Sequence, residues 1–227
     1  MPDSAIATAA DYADAMLVAR RAKSVLVLIL LLALLTQLGL FFAARYSDVL
    51  FKPAEGAATS QPLELAASPQ AIATTPLQTS SRWFDVLHYL IGLSGFLGVA
   101  LSIVLSLVLF LLVKIMLVGR LIGVARVTSA YVWSLVLIAL LFPWQAFLQN
   151  HDFTSREFML PGVLYTWDEL LRFARFGTDD LPAAVLKWAK FVGFPVLAVL
   201  MLMVIQIKSN RGLRQALGED DLAALTA

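Results

Sequence analysis

Four long apolar runs, almost free of charge, limit what this chain can fold into more than any other feature. The first, residues 24–44, reads SVLVLILLLALLTQLGLFFAA and holds no charged residue. A helix of that length extends roughly 31 Å, the thickness of a bilayer's hydrocarbon core. The second, Val86–Val118, is interrupted only by His88, Lys114 and small polar residues. As one helix it reaches about 50 Å, longer than the core but too short for two spans and a turn. A single tilted or protruding helix is therefore expected. The third run is 127–148, with Pro143 near its end, where it loosens or terminates the last turn. The fourth is 186–207, and Gly193 with Pro195 predicts a kink at Pro195.

Hydrocarbon offers no partner to a backbone N–H or C=O, so such runs must be helices that satisfy themselves. The expected fold is an all-α integral membrane protein: four transmembrane helices in a bundle, with a short amphipathic interfacial helix. Composition agrees. Of 227 residues, 60% are hydrophobic and 15% charged, where a soluble domain has about a quarter charged. The absence of cysteine excludes disulfides, Cys-ligated zinc and Cys-ligated iron–sulfur clusters. A net charge of +1 gives no basic field for nucleic acid.

The first run is longer than a signal-peptide core, and Phe42 stands where a cleavage site would need a small residue. An uncleaved anchor is expected. Four spans then place both termini on one side. The segments on that side hold nine positive residues, from Arg20 to Arg214, all close to span ends. The opposite side has eight positives over a longer stretch, with ten acids. The positive-inside rule counts the flanking charges, so both termini are expected in the cytoplasm, at a bacterial inner membrane.

Between the spans, residues 1–23 read as a cytoplasmic helix running into the first span. Residues 45–85 are rich in Pro, Ala, Ser, Thr and Gln and read as a flexible external loop. Residues 119–126 form a short turn and 208–227 a cytoplasmic tail. The external loop 149–185 carries a clearer signal. Thr166 and Glu169 have capping-box spacing. Trp167, Leu170, Leu171 and Ala174 share one helical face, with Asp168, Glu169, Arg172 and Arg175 on the other. Residues 167–176 are thus expected to form an amphipathic helix lying in the interface. Trp83, Tyr89, Trp144, Trp167 and Trp188 fall near the outer boundary and Tyr131 and Trp133 near the inner one, as an aromatic belt requires.

Three constellations bear on function. Ser94, Gly98, Ser102 and Ser106 recur every four residues, with Gly92 and Gly95 beside them. Small residues at this spacing form a groove for another helix, either within the chain or in a partner. Asp85 and His88, three apart, share a face and form a possible polar site. His88 and His151 are the two histidines, so a haem with two histidine ligands, or a cation held by His151, Asp152 and Glu157, is the thinnest of the readings.

No nucleophile elbow, phosphate loop or metal-binding helix motif is present, and no catalytic residue, metal site or cofactor is assigned. The residues favour a non-enzymatic accessory, scaffold or assembly subunit, partnered by the bilayer and by a membrane protein or a second copy. A small-solute or ion transporter using the Pro195 kink is the alternative, and a haem-binding redox subunit the third.

Overall fold

Each apolar run becomes one long helix. The computed structural model describes residues 3–46, 82–144, 162–167, 169–170 and 181–218, and within these the side chains of 3–10, 82–85 and 181–183 are outside the description. Helix α1 is Asp3–Tyr46, α2 Arg82–Val118, α3 Val124–Leu141 and α4 Leu181–Trp188. A π-helical turn, Ala189–Gly193, joins α4 to α5, Phe194–Ala216. All regular structure among the described residues is helical. Four stretches, Asp11–Tyr46, Val86–Val118, Val124–Leu141 and Ala184–Ala216, are long and apolar enough to cross a membrane. The chain is a multi-pass, all-α membrane protein.

The helices pack as a ring in which α1 meets α2, α2 meets α3, α3 meets α5 and α5 returns to α1. Its core runs through Leu30, Leu34, Leu105, Leu109, Leu137 and Leu202, all buried. One end, here the terminal end, gathers Met16, Met116, Val127 and Leu213. The other, the distal end, gathers Phe41, Ile91 and Phe191. The N-terminal segment and the first span form one continuous helix of 44 residues, roughly 66 Å long.

Local chemistry explains each boundary. Leu121 N–H donates to Met116 O (2.9 Å) and Arg120 N–H to Leu117 O (3.2 Å), a Schellman closure of α2 with Arg120 in the left-handed region at φ 51°. Helix α3 stops at Leu141, whereas the apolar run extends to 148. Pro143 disfavours helical geometry in the residue before it, and Phe142 is extended at ψ 132°. Pro143 also lacks the N–H that would reach Ala139 O, and the indole N–H of Trp144 donates there instead, at 2.7 Å. Residues 145–148 lie outside the described residues.

The expected break at Pro195 is found one turn earlier. Pro195 occupies the first turn of α5, where a missing N–H is harmless. Its ring crowds the carbonyl four residues back, and the preceding turn widens, so that Phe194 N–H donates to Ala189 O.

The tightest helix contact joins α3 to α5 at the terminal end. A Cβ on Gly123 would lie 2.6 Å from Gly212 O, and Gly123 also has φ +93°. A Cβ on Gly212 would lie 2.6 Å from Val127 Cγ2. Gly39, in α1, has open space around it. Gly123→Ala should therefore destabilise the detergent-purified protein by about 1–3 kcal/mol. Gly39→Ala should leave stability unchanged or raise it by up to about 1 kcal/mol. Thermal unfolding of the two variants side by side checks this contrast.

Candidate functional site

At the distal end, residues 162–170 return to the bundle. Val163 N–H donates to Leu140 O (3.2 Å), satisfying a carbonyl at the open end of α3. Leu164 packs onto Gly98, where an added Cβ would lie 3.4 Å from its methyl carbons. Tyr165 is buried, its hydroxyl donating to the main-chain carbonyl of Gln37 and its ring meeting Phe191 edge-on at 5.1 Å.

The capping box at Thr166 is formed. Glu169 N–H donates to Thr166 Oγ1 (3.3 Å), and Thr166 N–H donates to the Glu169 carboxylate (3.4 Å). Leu170 N–H donates to Thr166 O at 3.0 Å, completing a helical turn. Trp167 and Leu170 are buried against Phe41, Ala44, Ile91 and Phe191, so this turn is seated on the bundle. Leu171 and Ala174, with most of the expected helix 167–176, lie outside the described residues. Trp167 belongs to the core and not to the aromatic belt. Tyr89, Trp133, Trp144 and Trp188 are exposed, as belt residues are.

The sequence placed Glu169 on the polar face of that helix. In the structure it is buried and its carboxylate forms an ion pair with the Lys190 ammonium, which is also buried. Lys190 lies in the π-helical turn. Burying two charges is expensive unless both are paired, and the capping box gives Glu169 a further donor. Phe41 and Phe191 stack beside the pair at 4.9 Å.

The small-residue row faces inward. Ser94, Gly98, Ser102 and Ser106 are all buried within the chain. Ser94 Oγ donates to Ile91 O (2.9 Å) and Ser102 Oγ to Val99 O (2.7 Å), so their hydroxyls satisfy themselves on their own helix. Ser94 Oγ also accepts from Gln37 Nε2 at 3.2 Å, while Gln37 Oε1 is buried without a partner. Gly95 faces that amide, 3.8 Å from Nε2 to an added Cβ. Gly92 is open. Gly92 and Gly95 instead line an open-mouthed cavity of about 310 Å³ together with His88, Pro143, Leu164, Tyr165 and Trp167.

His88 is exposed at the rim of this cavity, its ring edge-on to Trp167 at 6.1 Å. The Asp85 side chain lies outside the description, so the pairing of Asp85 with His88 does too. His151, Asp152 and Glu157 are likewise outside the described residues. Among the described residues, no three His, Asp or Glu side chains sit together as a metal site.

The terminal end holds one further buried cation. Lys23 is fully buried and donates to Ser209 Oγ (2.7 Å) and Asn210 Oδ1 (2.6 Å). Its charge is sequestered between α1 and α5 rather than displayed on a flank. Nothing local to Lys23 announces this, because its two acceptors lie 186 and 187 positions away.

No protein-family model matches this chain, and neither a curated protein nor a solved structure resembles it. The site therefore stands on its own geometry: a closed distal end containing an ion pair, an open amide acceptor and a mainly apolar cavity beneath a histidine. Glu169→Gln or Lys190→Met alone should cost about 3–5 kcal/mol by stranding a buried charge. The double variant should recover most of that loss. A double-mutant cycle of unfolding in detergent measures it, and additive losses would show that the pair is not coupled.

Proposed function

We propose that this protein is a non-enzymatic accessory, scaffold or assembly subunit of the bacterial inner membrane, with both termini in the cytoplasm, acting through helix–helix contacts. The observation that carries the reading is the open face of α1, the least covered of the four spans. Val18, Val25, Leu28, Leu32, Leu35, Phe42 and Tyr46 are exposed along it, with exposed Gly39 between them. They recur at threes and fours with one seven, and Leu17 and Ile29 are exposed beside them, so α1 carries an apolar seam along one side. Such a seam suits a helix of a membrane partner or of a second copy. The small-residue row of α2 is consumed inside the chain and adds nothing to this surface. The proposed orientation is supported by Arg20, Arg21, Lys114, Arg120, Arg126, Lys208, Arg211 and Arg214, which collect at the terminal end.

A second reading, a small-solute or ion transporter, is favoured by one observation. The Glu169–Lys190 pair sits at a π-helical turn within the span Ala184–Ala216. Buried ion pairs and broken helices are features that transporters use.

One preparation tests both. A photo-crosslinking residue at Leu32 or Leu35 should capture a discrete protein partner or a second copy in native membranes, whereas one at buried Leu34 should not. Capture of lipid alone at all three positions overturns the subunit reading. Liposome flux that is lost in Pro195→Ala and Lys190→Met would establish the transporter in its place.

A further inference from the structure

A groove between α3 and α5 at the terminal end belongs to neither reading. It has a volume of about 310 Å³ and is lined by Ala125, Arg126, Ser129, Lys208 and Arg211. Three of these five residues are cationic and none is acidic. Lys208 is held in place, its ammonium donating to Ser129 Oγ at 2.8 Å and lying 5.8 Å from the centre of the Trp133 ring. Arg126 and Arg211 are exposed, and among the described residues neither side chain forms an ion pair.

Helix α3 adds to the field. It begins at Val124 with no side-chain cap and no acid in its first turn, so the positive end of its dipole opens beside Arg126. With 18 residues, α3 is the shortest of the spans. At roughly 27 Å it falls just short of a hydrocarbon core of about 30 Å, so its first turn lies within about one turn of the headgroup boundary. Two turns deeper along the same face, Trp133 is partly exposed where an acyl chain would pass.

We infer that this groove binds the phosphate of an anionic phospholipid from the leaflet at the terminal end. The chemistry required is a phosphate oxygen group between Arg126 and Arg211, with Lys208 held by Ser129 to contribute a third donor. Arginine forks suit phosphate geometry bidentately, and basic pockets between spans at this depth are where anionic headgroups are held. A lipid satisfies two features at once, the cationic groove and the apolar strip below it at Trp133. Free phosphate would use only the first.

The test uses the full-length protein, purified in detergent and stripped of lipid, with native mass spectrometry reading the bound ligand. Phosphatidylglycerol should bind tightly as a single molecule, and phosphatidylcholine, which carries the same phosphate but no net charge, at least about tenfold more weakly. Arg126→Gln/Arg211→Gln should lower phosphatidylglycerol affinity about 30-fold, from the loss of two cations near an anionic lipid. Lys114→Gln/Arg120→Gln removes the same charge from the same end of the bundle and should leave affinity within about threefold of the parent. If the groove variant folds poorly, Arg126→Lys/Arg211→Lys keeps the charge and must hold phosphatidylglycerol within about tenfold of the parent affinity. Equal weakening by the control pair means diffuse attraction and overturns the site. Equal binding of phosphatidylcholine overturns it as well. Competition by inorganic phosphate at the same concentration as the lipid reassigns the groove to a soluble anion and overturns the lipid assignment.

Discussion

Hydrocarbon offers no hydrogen-bond partner, and the helix ends and most of the buried polar groups described in this bundle answer to that constraint. A polar group left unpaired there costs several kcal/mol, so each departure from a plain helix needs a replacement donor or acceptor. At the end of α3, Pro143 removes one N–H and the Trp144 indole supplies another. The next free carbonyl, Leu140 O, is taken by Val163 of the returning segment. Serines within α2 and α3 bond back to carbonyls of their own helix. Lys23 is enclosed by Ser209 and Asn210, and Glu169 by Lys190 and its own capping box. The ring of helices can carry Lys23, Glu169 and Lys190 buried because each has a polar partner beside it.

The two ends of the bundle solve this differently. At the terminal end α3 and α5 approach to backbone contact at Gly123 and Gly212, and arginines and lysines surround the rim. At the distal end the chain folds back over the bundle. Residues 162–170 bury Tyr165, Trp167, Glu169 and Leu170, leaving a cavity under His88. The lateral surface that remains is lipid-facing, and on α1 it is ordered as a seam. The proposed assembly seam, the proposed anion groove and the Glu169–Lys190 turn thus occupy separate parts of the molecule.

Much of this was legible in the residues. The spans were, because hydropathy over about 20 residues is a property of the run itself. The capping box at Thr166 and Glu169 was, because it is local. The small-residue row in α2 was visible as a packing face, but its occupant was not, since Leu164 reaches Gly98 from 66 positions away. Pro195 marked an irregular helix, yet the π-helical turn fell at Ala189–Gly193, where the ring's clash is relieved. Amphipathic spacing puts Glu169 on a polar face but does not name the neighbour, Lys190, that covers it. Lys23 misled for the same reason. Charge near a span end is normally topogenic, and only the fold shows which charge has been enclosed.

The account stands or falls on whether residues 162–170 are seated in the bundle, since the ion pair, the cavity and the closed distal end all depend on it. The chain has no native cysteine, so an engineered pair reads without background. Gly98→Cys/Leu164→Cys, treated in intact membranes with a short thiol crosslinker, should link within one chain, because an added Cβ at Gly98 lies 4.0 Å from Leu164 Cγ. Near-complete intramolecular linkage, with both thiols protected from a membrane-impermeant maleimide, is the expected result. Two freely labelled thiols with no intramolecular link would contradict the account.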